Sequence, residues 1–359
     1  MRFCACPLIH FQNGDYSMSK SSTAKQTVCE KPSVPIRVAS NQTLRVFACV
    51  DTSSVSARVV PHARAIAQAL GGALSLLHVV EPGKSHAPFD PVEWDIRKRQ
   101  AHMYVSRLAK RFGDEADKIA VKLLEGRSAD QIGECTAGRV SDITALCSND
   151  DLVADHIGET ARRVLENSAS SILLVPSAVP EVEEAIYRRI LVPLDGSPRS
   201  ESAISTAVRI AVHQDAELIL IHATPTPEFL RNVALEPEDV ELYRQLSQRN
   251  DLAARKYLDR IRQSLANCDV VVRTVILKNG DVRRLLAEAI IVQSADLLVM
   301  SSHGHSGYGD VPSGDVSRFI LSRSHIPVLM VRTPGVVGAD HIYSSAESKG
   351  ARRPLGSAG

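Results

Sequence analysis

A short apolar run that ends in aspartate and turns into a helix occurs twice in this chain, and the elements after it recur in the same order. Residues 44–50 lead to Asp51, and residues 190–194 lead to Asp195, 144 positions later. The stretch LSLLHVV then carries His78 where ELILIHA carries His222. Gly280 answers Gly126 at an offset of 154, Asp296 answers Asp142, and Val328 answers Ile172 at 156. One register with a few insertions is the trace of a duplicated unit. Strands are expected at 44–50, 73–80, 119–124, 142–146 and 172–175, then at 190–194, 217–223, 270–277, 297–300 and 328–331. Helices are expected at 55–70, 91–112 and 130–137, and around Ala161, Val164 and Leu165. In the second copy Ser197 is placed as a helix N-cap with Pro198 at the first helical position, and a long helix puts Leu258, Ile261 and Leu265 on one face. Strands alternating with helices specify an α/β class with parallel sheets covered on both faces.

The domain reading is therefore a 1–42 extension, a first domain at 43–178, a linker at 179–187, a second domain at 188–333 and a 334–359 tail. The extension and tail lack periodicity and are rich in small and polar residues, which marks them as disordered; Met1 and Met18 are both candidate starts. Balanced charge, 42 basic against 41 acidic residues, argues against a nucleic-acid or anionic membrane partner. No apolar run reaches the length of a membrane span. The seven cysteines are scattered and odd in number, which fits no disulfide framework and favours a reducing cytoplasm.

The stretch 296–332 carries the clearest chemical signal. An apolar strand breaks into a loop of Gly, Ser and His, a helix restarts at Gly314, and a second apolar strand closes the unit. Val316, Phe319 and Ile320 have the spacing of a buried stripe. A glycine-containing loop that opens a helix offers backbone N–H groups and the positive end of a dipole to an anion such as phosphate. His303 and His305 form an H-x-H without a third ligand at readable spacing, and Cys4 with Cys6 lacks further partners, so no metal site is assigned. Asp195 has no paired nucleophile or second carboxylate, and no catalytic residue is assigned. The HIGE at His156 resembles a nucleotidyl-transferase signature but stands before the last helix of its unit rather than after the first strand.

With these elements in place, the chain resembles a tandem member of the universal stress protein family over roughly residues 43–332. That resemblance implies two doubly wound five-stranded parallel sheets of order 3-2-1-4-5, adenine-nucleotide alpha-hydrolase-like in fold, with a ligand crevice between strands one and four. Nucleotide-binding members carry G-x2-G-x9-G-(S/T) after the fourth strand. Here Ser301, Gly304, Gly314 and Asp315 fall on those four positions, so the spacing is kept and two identities are not. Carried over in the same way, Pro193, Asp195, Ala223 and Met300 lie on the adenine side, and Gly304, Gly314, Asp315 and Val316 on the phosphate side. In the first half Cys147 and Asp150 replace the first two glycines and Gly158 keeps the third, so that half is expected not to bind nucleotide. Asp315 facing a phosphate about 4 Å away costs roughly 1 kcal/mol if water screens the pair and about 4 at an effective dielectric of 20, unless Mg²⁺ bridges the two. Ser301 costs about 1 kcal/mol or more only if its backbone must be left-handed.

The resemblance thus implies a stress-response sensor or interaction module, with ATP or another adenine nucleotide and Mg²⁺ as candidate ligands in the second half. The alternatives are a slow Mg²⁺-dependent ATPase or phosphotransfer protein using Asp315, and an interaction module that binds no nucleotide. The last strands of each half, SILLV and PVLMV, are apolar throughout and lie at sheet edges in the implied order. They are expected to pair the two halves as an intrachain pseudo-dimer, with a homodimer as a further candidate assembly.

Overall fold

The computed structural model describes residues 44–82, 90–114, 118–136, 142–148, 157–225, 237–302 and 314–332. In the first half, β1 (Arg45–Cys49), α1 (Val59–Ala69), β2 (Ala73–Val80), α2 (Pro91–Phe112), β3 (Ala120–Glu125), α3 (Ser128–Thr136), β4 (Ile143–Cys147), α4 (Glu159–Asn167) and β5 (Ser171–Val175) succeed one another. The second half repeats the pattern as β6 (Arg189–Pro193), α5 (Pro198–Gln214), β7 (Glu217–Pro225), α6 (Pro237–Ser264), β8 (Val272–Gly280), α7 (Val282–Val292), β9 (Leu297–Ser301), α8 (Asp315–Arg323) and β10 (Val328–Val331). The extension, the tail, Asp150, His156, His303, Gly304 and His305 lie outside the described residues.

All ten strands form one sheet, in the order β3-β2-β1-β4-β5-β10-β9-β6-β7-β8. Every pairing within a half is parallel, and the junction between β5 and β10 is antiparallel, with Leu329 opposite Leu173. The two apolar edges thus satisfy each other's backbone groups, and antiparallel pairing of equivalent strands relates the halves by an approximate twofold. Alternation along the strands sends successive side chains to opposite faces. One buried cluster holds Ala48, Ile66, Leu173, Ile190, Ile210 and Leu329, and the other holds Leu146, Val164, Ile172, Leu298, Ile320 and Met330. Each core therefore draws on both halves.

Local chemistry explains most element boundaries. Ser197 caps α5 by accepting from the Ser200 N–H at 3.1 Å, with Pro198 in the first turn. Asp90 caps α2 in the same way, accepting from the Val92 N–H at 2.8 Å. The matched aspartates Asp142 and Asp296 both tie down strand starts: Asp142 is fully buried against the Arg45 guanidinium, and Asp296 accepts the N–H groups of Arg188 and Arg189 at 2.7 and 3.1 Å.

Four differences from the sequence reading have physical reasons. The helix expected at 55–70 begins as a 3₁₀ turn, Ser56–Arg58, because Ser56 and Ser53 bond to backbone groups around Asp51 and tighten the entry. Between Gly280 and Asp296, where that reading places no element, α7 forms with Asp281 as its cap. The stripe on α8 is also rotated: Ser317, Ile320 and Leu321 are buried, whereas Val316 and Phe319 are half-buried. Residues 179–187 are packed rather than loose, since Val179, Ala185 and Tyr187 join the core and Glu181 and Glu183 pair with Arg111.

Candidate functional site

Parallel strands β9, β6 and β7 are adjacent, so Met300, Pro193 and Ala223 lie near the C-terminal ends of three neighbouring strands. Met300 is buried; Pro193 and Ala223 are half-buried. Asp195 comes just after β6 at the same edge and is exposed. Its Oδ1 accepts the Ser197 N–H at 2.9 Å and the Ser197 hydroxyl at 2.6 Å, which holds the carboxylate in a fixed orientation at the start of α5. Nearby, the His222 Nδ1 lies 2.8 Å from the Leu194 carbonyl.

On the other side of the crevice, β9 ends at Ser301 and the chain re-enters the described structure at Gly314. Ser302 organises that junction. Its N–H donates to the Val331 carbonyl at 3.2 Å, and its own carbonyl accepts the Gly314 N–H at 3.1 Å and the Ser317 hydroxyl at 3.2 Å. Gly314 is the N-cap of α8 and, having no side chain, provides no cap, so the N–H groups of the first turn are not engaged by a side-chain cap. Asp315 is exposed at the first helical position, and Val316 is half-buried beside it. Among the described residues the non-glycine positions with positive φ are Asp215 and Ser294, so Ser301 has ordinary backbone and introduces no left-handed strain.

The first half repeats this arrangement with different endings. Asp51 accepts the Ser53 N–H at 2.7 Å, and the His78 Nδ1 lies 2.8 Å from the Val50 carbonyl. Burial pushes the Asp51 carboxyl up, but the hydrogen bonds from Ser53 and Ser56 outweigh it and hold the group below its ordinary value. A cavity of about 230 Å³ opens here, lined by Cys49, Asp51, Ser53, Cys147, Gly158 and Thr160 among others. Gly158 caps α4 with φ at 89° and ψ at 141°, a region essentially restricted to glycine, whereas Gly314 has φ at −70°. Among the described residues, a Cβ built on Gly314 would meet only the Ser302 carbonyl, at 4.0 Å. Gly158→Ala is therefore expected to cost about 1–3 kcal/mol and Gly314→Ala close to nothing in urea unfolding; equal costs would contradict the assigned backbone.

Sequence reasoning missed three side chains that come from distant elements to the crevices or to α8. Tyr104 on α2 donates its hydroxyl to the Ser53 carbonyl at 3.1 Å, and Tyr257 on α6 packs edge-on against His222, ring centroids 5.7 Å apart. Burial, then the neighbouring Glu201 and Asp195 charges, raises the Tyr257 phenol well above its usual range. The matched places of these two tyrosines in the long helices are the signal that could have found them. Arg283 on α7 is the third, its guanidinium 5.8 Å from the centre of the Phe319 ring on α8.

A sheet with helices on both faces, a crevice at each switch point and paired halves define a tandem doubly wound α/β protein. A family model described as the universal stress protein family matches residues 43–176 and again 186–332. The chain belongs to that family, and carries its domain twice. A universal stress protein of Mycobacterium tuberculosis is 25% identical over 313 residues, covering 81% of this chain and 96% of its own length. One from Bacillus subtilis is 30% identical over 152 residues, which is 41% of this chain and all of that protein. Among solved structures, a universal stress protein from Archaeoglobus fulgidus superposes with a TM-score of 0.52 at 16% identity, covering 80% of this chain and 96% of that one. A Pseudomonas aeruginosa protein of unknown function reaches 0.55 at 15%, covering 82% and 94%. Identities this low report the fold alone. No helix among the described residues is long and apolar enough to cross a membrane.

Proposed function

We propose that the second half of this universal stress protein binds an adenine nucleotide, and that the chain works as a sensor or interaction module rather than as a catalyst. Pro193, Asp195, Ala223 and Met300 would hold the base side; Gly304, Gly314, Asp315 and Val316 would hold the phosphate side, with Ser301 at the first position of the motif. The observation that carries this reading is the start of α8, where Gly314 leaves the first turn without a side-chain cap while Ser302 fixes its position beside β9. Such a helix start suits a phosphate. Ordinary backbone at Ser301 removes one objection to the altered motif.

Asp315 sets the condition under which binding occurs. No group of three or more His, Cys, Asp or Glu that could hold a metal exists among the described residues, so a divalent ion here would depend on ligand oxygens as well as on Asp315. Calorimetric titration of ATP, ADP and AMP into the full chain, with and without Mg²⁺, is expected to show ATP binding that needs Mg²⁺. Asp195→Ala should weaken it by about tenfold or more, the loss of a hydrogen bond to a charged group. A silent wild type beside a binding Asp315→Ser would mean that one charge blocks the site. Silence from both would overturn the nucleotide reading.

A further inference from the structure

We propose that Arg283 is a phosphate clamp of the second half, a guanidinium that offsets the Asp315 carboxylate and offers the ligand a charged donor; this rests on the nucleotide reading above. Arg283 stands in the first turn of α7, which comes after β8 at the same edge of the sheet as Asp195 and Gly314. Its own cap holds it in place: Nε lies 3.1 Å from Asp281 Oδ1 and Nη2 2.7 Å from Asp281 Oδ2. The guanidinium lies over Phe319 at 5.8 Å. Phe319 comes four residues after Asp315 on α8, so the two share a helix face about 5–6 Å apart. Stacking and pairing therefore hold a cation across the seam from the face that Asp315 begins. The pairing to Asp281 uses Nε and Nη2 and, among the described residues, leaves Nη1 as a donor for a ligand. Asp281 first, and then the field of Asp315, favour the charged form of Arg283.

The two halves differ at this point. The position matching Arg283 in the first half is Ala129, and the position matching Phe319 is Arg163, which pairs with Asp130 at 3.6 Å. No stacked guanidinium stands at that seam among the described residues, although Glu159 repeats the acid of Asp315. A phosphate approaching α8 meets an arginine set against the carboxylate; one approaching α4 meets the carboxylate with its own i+3 partner, Arg162. Planar guanidinium groups bind phosphate by paired donors, which a lysine reproduces only as a point charge.

The test is calorimetric binding of ATP and adenosine to the full chain in Mg²⁺, for wild type, Arg283→Gln and Arg283→Lys, with the melting temperature of each as a check on folding. Arg283→Gln is expected to weaken ATP by about tenfold or more and to leave adenosine within about twofold, while Arg283→Lys keeps an intermediate affinity for ATP. If Arg283→Gln changes neither ligand, or weakens both equally, the residue only pairs with Asp281, the cap of α7, and the clamp is wrong while the nucleotide reading stands. If wild type binds neither ligand, the nucleotide reading itself fails and the clamp falls with it.

Discussion

Lowering the pH from about 6.5 to 4 is expected to remove about 3 kcal/mol of stability through one side chain, His62. His62 sits on α1 with 6% of its surface exposed, its Nδ1 2.9 Å from the Tyr187 hydroxyl and its Nε2 buried without a partner among the described residues. Burial pushes the imidazole from 6.5 down to about 4. The folded protein therefore keeps His62 neutral until about pH 4, whereas the unfolded chain takes up a proton near 6.5. Between those values the unfolded state binds more protons, so stability is complete above about 6.5 and falls with pH through the folded value. Tyr187 ends the segment that connects the halves and α1 packs against α5, so the loss would loosen the contact between halves. Urea unfolding at pH 7 and pH 4.5 checks this, with His62→Gln as the variant that cannot titrate. The glutamine protein should lose distinctly less stability between the two conditions; parallel losses would remove His62 from the account.

Much of the fold was legible because the two copies carry their instructions locally. Strands end two residues before Asp51 and Asp195, the pair His78 and His222 mark equivalent places in β2 and β7, and Ser197 with Pro198 announces α5. α7 was less legible since Leu285, Leu286, Ile290, Ile291 and Val292 form an apolar stretch that periodicity alone does not separate from strand. Its cap, Asp281, decides the matter by accepting the Arg283 N–H at 2.9 Å. Phe319 reads as core by its spacing, yet it stays half-buried because the Arg283 and Arg323 guanidinium groups lie 5.8 and 4.8 Å from its ring centre. An aromatic between two arginines can sit at a surface that an isolated aromatic would leave.

The candidate site divides in the same way. Residues close in sequence, such as Asp195 with Ser197, could be read from turn and cap chemistry, which acts over two or three residues, whereas Gly314 with Asp315 is assigned by the spacing of the family motif. Tyr257 and Arg283 could not, because each meets its partner, His222 or Phe319, from an element tens of residues away and only the sheet order decides which helix lies beside which strand. The effect of Ser301 also needed the structure, since its cost turns on a backbone angle that residue identity does not fix.

Truncating Leu173 to alanine is expected to cost about 2–5 kcal/mol, and the variant should still unfold in a single transition. Leu173 is fully buried and faces Leu329 across the antiparallel junction of β5 and β10, where every strand residue is buried. The cavity would open in a core that also holds Ile66 and Ile210 from opposite halves. Val179, Ala185 and Tyr187 pack the connecting segment into that same cluster, so the junction has no loose joint at which one half could release the other. Each half on its own would expose an apolar strand edge to water, which opposes separate unfolding. Urea or thermal unfolding followed by two probes distinguishes the outcomes, with Leu242→Ala, at a position 53% exposed, expected to stay within about 0.5 kcal/mol of wild type. Two resolved transitions in the Leu173→Ala protein would mean that the halves fold as independent domains held only by their edges; one transition shifted to lower denaturant would mean that the ten-stranded sheet is the cooperative unit.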